Sequence, residues 1–283
     1  MILKYGSNGP EVLQLQKDLN KINLTFKLVE DGDFGPQTLI AVRIFQAKKN
    51  LPVDGIVGPL THNAILDSLG MPQDPVETTT AGIDIYHGDT VLNWESVYSA
   101  NIKFCFIKAT EGYNYIDPSF QHNWDKCKAA GIIRGAYHFF HPAQDPIKQA
   151  IAFCSTVGTL FDNDLPMVMD WEVTDNTSPS TDEGRGLDFL LKVQQLTKRR
   201  PIIYSGPYFL NDLTLASNFA VYPLWVAHYG TNHPKIPSPW TKYTFWQTGD
   251  QGHVTGITNP CDMNQFAGSL VDLKKFIADS VIK

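Results

Sequence analysis

Two carboxylic acids two positions apart, Asp170 and Glu172, stand in the apolar run "DLPMVMDWEV" (164–173). The run reads as a β-strand entered through Pro166. In a strand, residues i and i+2 share a face, roughly 6.5–7 Å apart along the chain. Burying two carboxylates side by side is costly unless a partner or a proton compensates. Such a pair can divide labour. Like charge disfavours ionisation of one acid, which can then hand its proton to a leaving oxygen while the other stays anionic.

Two more acids are read as standing toward the C-terminal ends of apolar strand-like runs: Asp84 in "GIDIY" and Asp262 in "CDMNQF". Aromatic residues occupy similar places, with Tyr137 and Phe139 in "AYHFF", Tyr204 in "IIYSG", then Trp225, Tyr229 and Trp246. Carboxylates walled by rings suit a sugar polymer: ring faces stack on pyranose C–H faces, and acids serve the hydroxyls and the glycosidic oxygen. Clustered acids can also hold a divalent metal. That reading ranks lower because it gives the aromatic wall no purpose, so no metal and no cofactor is expected. Cys105, Cys127, Cys154 and Cys261 form no CxxC pair and read as reduced, buried thiols.

These residues need a scaffold that brings strand ends together. Strand-like runs at 82–86, 104–109, 132–140, 166–173 and 201–205 alternate with helical stretches near 92–100, 119–130, 146–157, 184–199 and 207–215. This is the βα alternation of a parallel sheet or barrel. Runs at 222–229, 243–249 and 261–266 follow, joined by segments too rich in Pro and Gly for helices, and a last amphipathic helix closes the chain. Eight strands, about five of them followed by helices, fit an irregular β/α barrel better than an open doubly wound sheet. In such barrels functional groups collect at the C-terminal strand ends, and closure makes the first and last strands neighbours, so Asp84 and Asp262 can meet.

Residues 1–70 are organised differently. "DGDFGPQT" (31–38) and "DGIVGPLT" (54–61) repeat at an offset of 23 residues, and "SNGPEV" (7–12) is a looser relative. Gly-Pro recurs at 9–10, 35–36 and 58–59, which places proline in the first turn of each of three helices. "MPQDPVETTT" (71–80) is polar and aperiodic and reads as a linker to a catalytic region over 81–283. The 283 residues carry a net charge of −6 with no basic block, which gives no footprint for nucleic acid. No apolar run is long enough to span a membrane, and the N-terminus lacks the apolar core of a signal peptide. The expectation is a monomer made in a cytoplasm, without membrane insertion.

Residues 4–69 resemble the peptidoglycan-binding domain attached to many wall hydrolases, through "VLQLQKDLN", "DGDFGPQTLIAVRIFQ" and "VDGIVGPLTHNAI". Residues 81–270 resemble the family 25 glycoside hydrolases, lysozymes that are N-acetylmuramidases. The matching motifs are "GIDIYHG", "FCFIKATEGYNYIDPSF", "AAGIIRGAYHFFHP", "LPMVMDWEV", "RPIIYSG", "YPLWVAHYG", "FWQTGDQGHVTGI" and "CDMNQFAG". The resemblance implies an α/β fold, an irregular (β/α)5(β)3 barrel behind a three-helix wall-binding domain. It implies Glu172 as general acid, with Asp170 anionic and Asp84 and Asp262 as supporting acids. Glu111, Tyr137 and Tyr204 sit in motifs associated with the cleft; Phe139, Trp225 and Trp246 join them as candidate substrate-binding rings. The implied substrate is bacterial peptidoglycan, cut after N-acetylmuramic acid, in the setting of a phage endolysin that acts on the wall after release from the host cytoplasm. An inactive wall-binding protein, or a hydrolase of another acetamido-sugar polymer such as chitin, is the alternative. The strand spacing alone does not separate retaining from inverting chemistry, whose carboxyls stand roughly 5–5.5 Å and 6.5–9.5 Å apart. A third route, attack by the substrate's own acetamido oxygen, is the one toward which the resemblance leans.

Overall fold

The computed structural model describes residues 3–23, 26–71, 79–213 and 215–282, so most of the expected linker lies outside the described residues. The chain divides into two compact units, Met1–Thr78 and Thr79–Lys283.

The first unit holds α1 (Pro10–Ile22), α2 (Pro36–Lys48) and α3 (Pro59–Ser68) around Val12, Leu15, Leu19, Phe34, Val42, Phe45, Val57 and Ile65. The sequence repeat has a polar clasp at each copy. Gln16 donates from Nε2 to Asp31 Oδ1 (2.8 Å), the Asp33 carbonyl (2.9 Å) and Thr38 Oγ1 (3.2 Å), and its Oε1 accepts from Gly32 N–H (2.9 Å). Gln46 does the same to Asp54 (2.8 Å), the Ile56 carbonyl (3.0 Å) and Thr61 (3.2 Å), and accepts from Gly55 N–H (2.9 Å). The Asp, Gly and Thr of each motif are thus the three points on which one buried glutamine closes. Gly32 (φ +77°) and Gly55 (φ +76°) take the left-handed turn that points their N–H at the glutamine.

The second unit is a closed barrel. Its strands are β1 (Thr80–Ile85), β2 (Phe104–Glu111), β4 (Ile133–Phe139), β5 (Val168–Asp170), β6 (Ile202–Ser205), β7 (Leu224–Ala227), β8 (Phe245–Gly252) and β9 (Cys261–Phe266), and β1 pairs with both β2 and β9. Helices α4 (Trp94–Ser99), α5 (Phe120–Ala129), α6 (Pro146–Val157), α7 (Pro179–Thr197) and α8 (Pro207–Leu213) follow the first five barrel strands. α9 (Leu270–Asp279) closes the chain; its Leu273 and Ile277 pack with Phe104, Phe245 and Phe266 to form the barrel floor.

Inside the barrel Phe106 stacks on Trp225 (4.3 Å between ring centres), and Phe245 packs edge-on against both Phe104 and Phe106. Gly82 and Gly135 make room for this: a Cβ at either would come within 2.4–2.5 Å of the Phe104 or Phe106 ring. Outward residues such as Ile83, Ile107, Met169, Trp171 and Ile203 form the second core with the helices. The interior is therefore packed solid below and polar only at its mouth.

Four expectations need correction. Thr80, placed in the linker, opens β1; it is buried and donates to the Gly268 carbonyl (2.8 Å). β5 is only three residues long and ends at Asp170, so Glu172 lies beyond it. α7 begins at Pro179, five residues before the expected start, because Ser178 caps it by accepting from Thr181 N–H. A two-residue strand, β3 (Tyr115–Ile116), adds to the edge of β2. Both its residues are exposed, so it has no hydrophobic pattern to read.

Candidate active site

All four acids stand at one end of the barrel, and the topology explains how. β1, β2 and β4 to β8 run parallel, whereas β9 is antiparallel to both neighbours. The expected place of Asp262 at a C-terminal strand end is corrected: it is the second residue of β9, comes to the mouth from the start of that antiparallel strand, and pairs in register with Asp84.

Asp84 is buried, and its Oδ2 accepts from Gln247 Nε2 (2.8 Å) and Asn264 Nδ2 (2.7 Å). Both amides are themselves oriented. Asn264 Oδ1 accepts from Trp225 Nε1 (2.8 Å), and Gln247 Oε1 accepts from the hydroxyls of Tyr204 (2.7 Å) and Tyr229 (2.5 Å). Burial, and next the charge of Asp262, push the Asp84 carboxyl well above the usual carboxylate range. Burial likewise pushes Asp262 up, to about 6. The two amides oppose the rise of Asp84 without overturning it, so charge is disfavoured most on the deeper acid of the pair.

Asp170 and Glu172 are unlike. Asp170 is buried at the barrel mouth; Glu172 is exposed above it. Burial and then the charge of Glu172 push Asp170 well up, against a lowering by Lys108. Desolvation thus works against charge on the deeper acid, and Lys108 works for it. Asp170 Oδ1 is buried and accepts no hydrogen bond from the described residues.

Lys108 projects into the mouth from β2, and sequence reasoning missed it. Its Nζ donates to Glu111 Oε2 (2.7 Å) and lies 5.1 Å from the centre of the Phe139 ring. Glu111 also pairs with His141 Nε2 (3.3 Å), whose Nδ1 meets Asp175 Oδ1 (3.0 Å). Burial raises Glu111, but Lys108 and His141 outweigh it and hold the carboxyl below its ordinary value. Glu111 is thus an ion-pair partner that fixes the lysine.

The expected rings divide by depth and face. Tyr137 and Tyr204 line the upper interior, and Phe139 lies beneath Lys108. Trp225 is fully buried under Phe106 and Tyr204 and has no free face for a sugar; it orients Asn264 instead. Trp246 points out of the barrel into the helix-side core, where its Nε1 donates to the His228 carbonyl (2.8 Å). Neither tryptophan is a wall of the mouth. Exposed rings there include Tyr208 and Tyr229, lining a depression that reaches Glu172, and Tyr115, whose centre lies 5.9 Å from Lys108 Nζ. The cysteines are free, and all but the partly covered Cys154 are buried. Among the described residues no three His, Cys, Asp or Glu side chains are grouped to hold a metal ion, and no helix is long and apolar enough to cross a membrane.

Comparison with known proteins agrees with this geometry. The model of the glycosyl hydrolases family 25 matches residues 83–257, and that of a peptidoglycan binding domain matches residues 8–65. Lysozyme M1 of Streptomyces globisporus is 38% identical over 211 residues, covering 70% of this chain and 72% of that protein. The crystal structure of a bacterial lysozyme from Streptomyces coelicolor superposes with a TM-score of 0.69 at 35% identity, over 73% of this chain and all of that one. The crystal structure of the CTP1L endolysin superposes with a TM-score of 0.58 at 26% identity, over 71% of this chain and 70% of that one. The family match takes in Asp84, Asp170 and Glu172 and stops five residues short of Asp262, which β9 brings back beside Asp84. The chain belongs to glycoside hydrolase family 25, with a unit of the peptidoglycan-binding type in front of its barrel.

Proposed function

We propose that this chain is a peptidoglycan hydrolase that cleaves the β-1,4 bond between N-acetylmuramic acid and N-acetylglucosamine. Glu172 is the proton donor, and Asp170, Asp84 and Asp262 are the supporting acids. The observation that carries this reading is Asp170 Oδ1, a buried acceptor with no donor among the described residues, beside an exposed second acid. An acetamido N–H supplies the missing donor and favours the Asp170 anion. A sugar seated over Glu172 strips water from that carboxylate and favours its neutral form. Neutral Glu172 gives its proton to the leaving oxygen. The acetamido oxygen, oriented through its N–H by Asp170, attacks the anomeric carbon; water then opens the ring while Glu172 takes a proton back, so configuration is retained.

All four acids come from one chain, in keeping with action as a monomer. The front unit binds the wall and keeps the barrel on an insoluble polymer. That modular plan and the likeness to an endolysin support a part in phage lysis, with synthesis in the host cytoplasm and action on the wall after release.

Glu172→Gln tests the assignment. Wall clearing should fall by roughly 10²–10⁴-fold with folding and sacculus binding intact. Mass spectrometry of wild-type digests should find N-acetylmuramic acid at the new reducing ends. A folded Gln variant that clears walls at near wild-type rate overturns the role of Glu172.

A further inference from the structure

Glu172 is exposed and lies in the connection between β5 and α7, so its aim depends on what holds that connection. One residue before it, Trp171 is tied to β6: its N–H donates to the Tyr204 carbonyl (3.0 Å), and its carbonyl accepts from Ser205 Oγ (2.6 Å). Three residues after it the chain turns through Asp175 (φ +50°) and Asn176 (φ +62°), two consecutive non-glycine residues in the left-handed region. A turn of that kind persists only where its surroundings enforce it. Here both oxygens of the Asp175 carboxylate meet His141 Nδ1 (3.0 and 3.1 Å), and Oδ2 also accepts from Ala143 N–H (3.2 Å).

His141 is itself placed with little freedom. Its N–H donates to Gln149 Oε1 (3.0 Å) and its carbonyl accepts from Gln149 Nε2 (2.9 Å), so one buried side chain of α6 grips both. Gln149 is aimed in turn by His138, buried on β4, whose Nε2 meets Gln149 Oε1 (3.2 Å) while its Nδ1 meets Thr110 Oγ1 (2.8 Å). Burial pushes His138 down to about 3, so its ring stays neutral and serves as one donor and one acceptor. On its far side His141 Nε2 faces Glu111 Oε1 (3.3 Å), and Glu111 Oε2 takes Lys108 Nζ (2.7 Å). The His141 ring therefore has a carboxylate at each nitrogen. A carboxylate only accepts, so the arrangement is complete when both nitrogens carry hydrogen.

We infer that His141 is a positioning residue for the reaction: it ties the turn behind Glu172 to the strand that carries Lys108, and so fixes the aim of the proton donor. The inference rests on Glu172 as proton donor and deepens that reading. An acid on an exposed connection is useful only if the connection holds still, since a misplacement of about 1 Å can cost roughly 10²-fold in rate. His141 acts through Asp175, so its loss should tell on the proton-transfer step and leave the hold on the sugar chain.

The test compares wild-type protein, His141→Gln, His141→Arg, Asp175→Asn and Glu172→Gln on a soluble peptidoglycan glycan and on a nitrophenyl glycoside of the same sugars. Nitrophenolate departs without a proton, so a misaimed donor matters little for it. His141→Gln turns a carbonyl toward one of the two carboxylates. Its kcat on the glycan should fall roughly tenfold to hundredfold with KM within roughly twofold, and the nitrophenyl glycoside should be nearly spared. His141→Arg, a planar cation with donors for both carboxylates, should recover most of the kcat. Asp175→Asn breaks the same link from the turn and should show the same dependence on leaving group, so the inference is decided even where His141→Gln fails to fold. Equal losses on both substrates, or a loss carried by KM, overturn it. Glu172→Gln is the benchmark: its own loss should be far larger on the glycan than on the nitrophenyl glycoside. A benchmark without that contrast overturns the proton-donor reading, whereas a benchmark with it beside a His141→Gln without it overturns the positioning role alone.

Discussion

Replacing Asp262 with Asn should make the barrel more stable at neutral pH and leave it unchanged in acid. Asp262 is held at about 6 against 3.8 for an ordinary aspartate, chiefly by burial. A folded state that keeps a proton longer than the unfolded chain is stabilised below the unfolded value and loses that advantage as pH rises through the folded one. Below about pH 4 both states are protonated, and wild type and variant should match. Between about pH 4 and 6 the unfolded wild type ionises while the folded mouth resists, so wild type falls behind the variant; above about 6 the gap is constant. The shift of about 2 units corresponds to at most about 3 kcal/mol, and partial exposure of the carboxyl reduces this to about 1–2 kcal/mol. For a unit of this size that is roughly 3–6 °C in Tm. An asparagine amide can also donate to Asp84 without borrowing a proton.

Scanning calorimetry of both proteins from pH 4 to 8, following the barrel transition, measures the gap directly. An equal Tm at every pH, or a variant that is the less stable at pH 7.5, would refute the claim that the raised Asp262 is held at a cost to folding. Activity should fall in the same variant, since the site, not the fold, needs the acid.

Two further outcomes follow from the polar contacts. Lys108→Met removes the cation that opposes the rise of Asp170, so anionic Asp170 should be reached only at higher pH; the acidic limb of the kcat/KM profile should move up by roughly half to one unit, and an unmoved limb refutes the lysine's role. Gln46→Ala opens one clasp of the front unit: Gly55 N–H loses its acceptor, while Asp54 and Thr61 keep only their bonds to Ile56, at a cost of roughly 1–3 kcal/mol. Sacculus pelleting should weaken while hydrolysis of soluble glycan persists; undiminished pelleting with an unchanged thermal transition of that unit would show the clasp to be dispensable.

What the sequence makes legible here follows from period and parity. Alternation places Asp84, Asp170 and Asp262 on inward faces, and the same alternation places Lys108, Gln247 and Asn264 there, two residues beyond Phe106, Phe245 and Asp262. Those three were findable but carry no conspicuous chemistry as isolated residues. Parity also excludes Trp246, which stands between inward Phe245 and Gln247. Depth is harder: Trp225 has the right face but sits one layer too low, because depth depends on strand stagger and on how far Phe106 fills the interior. Strand direction is harder still. Nothing in "CDMNQF" states that β9 runs against its neighbours; that follows from how the connection after β8 returns. In the front unit the DG-x-x-G-x-x-T repeat was plain, but its closure on Gln16 and Gln46 was not, since the glutamines lie 30 residues apart while the motifs lie 23 apart.

The two acid pairs look alike in the sequence and are built for different tasks. At Asp84 every favourable position is taken: two amides donate to Oδ2, each amide is held by a ring donor, and Asp262 faces the remaining side. Such a carboxyl group is fixed in place, so it can brace a site. At Asp170 the hydrogen-bonding set is incomplete, with a buried oxygen that accepts nothing from the described residues and a neighbour, Glu172, left open to water. An incomplete set is unstable by about 1–3 kcal/mol in isolation, and a ligand supplying the donor recovers that energy. The site therefore gains most from a ligand with an N–H positioned beside its reacting carbon. A 2-acetamido sugar meets that requirement, and a glucose or xylose chain does not. On the proposed function, selectivity for amino-sugar polymers follows from the unfilled position on Asp170.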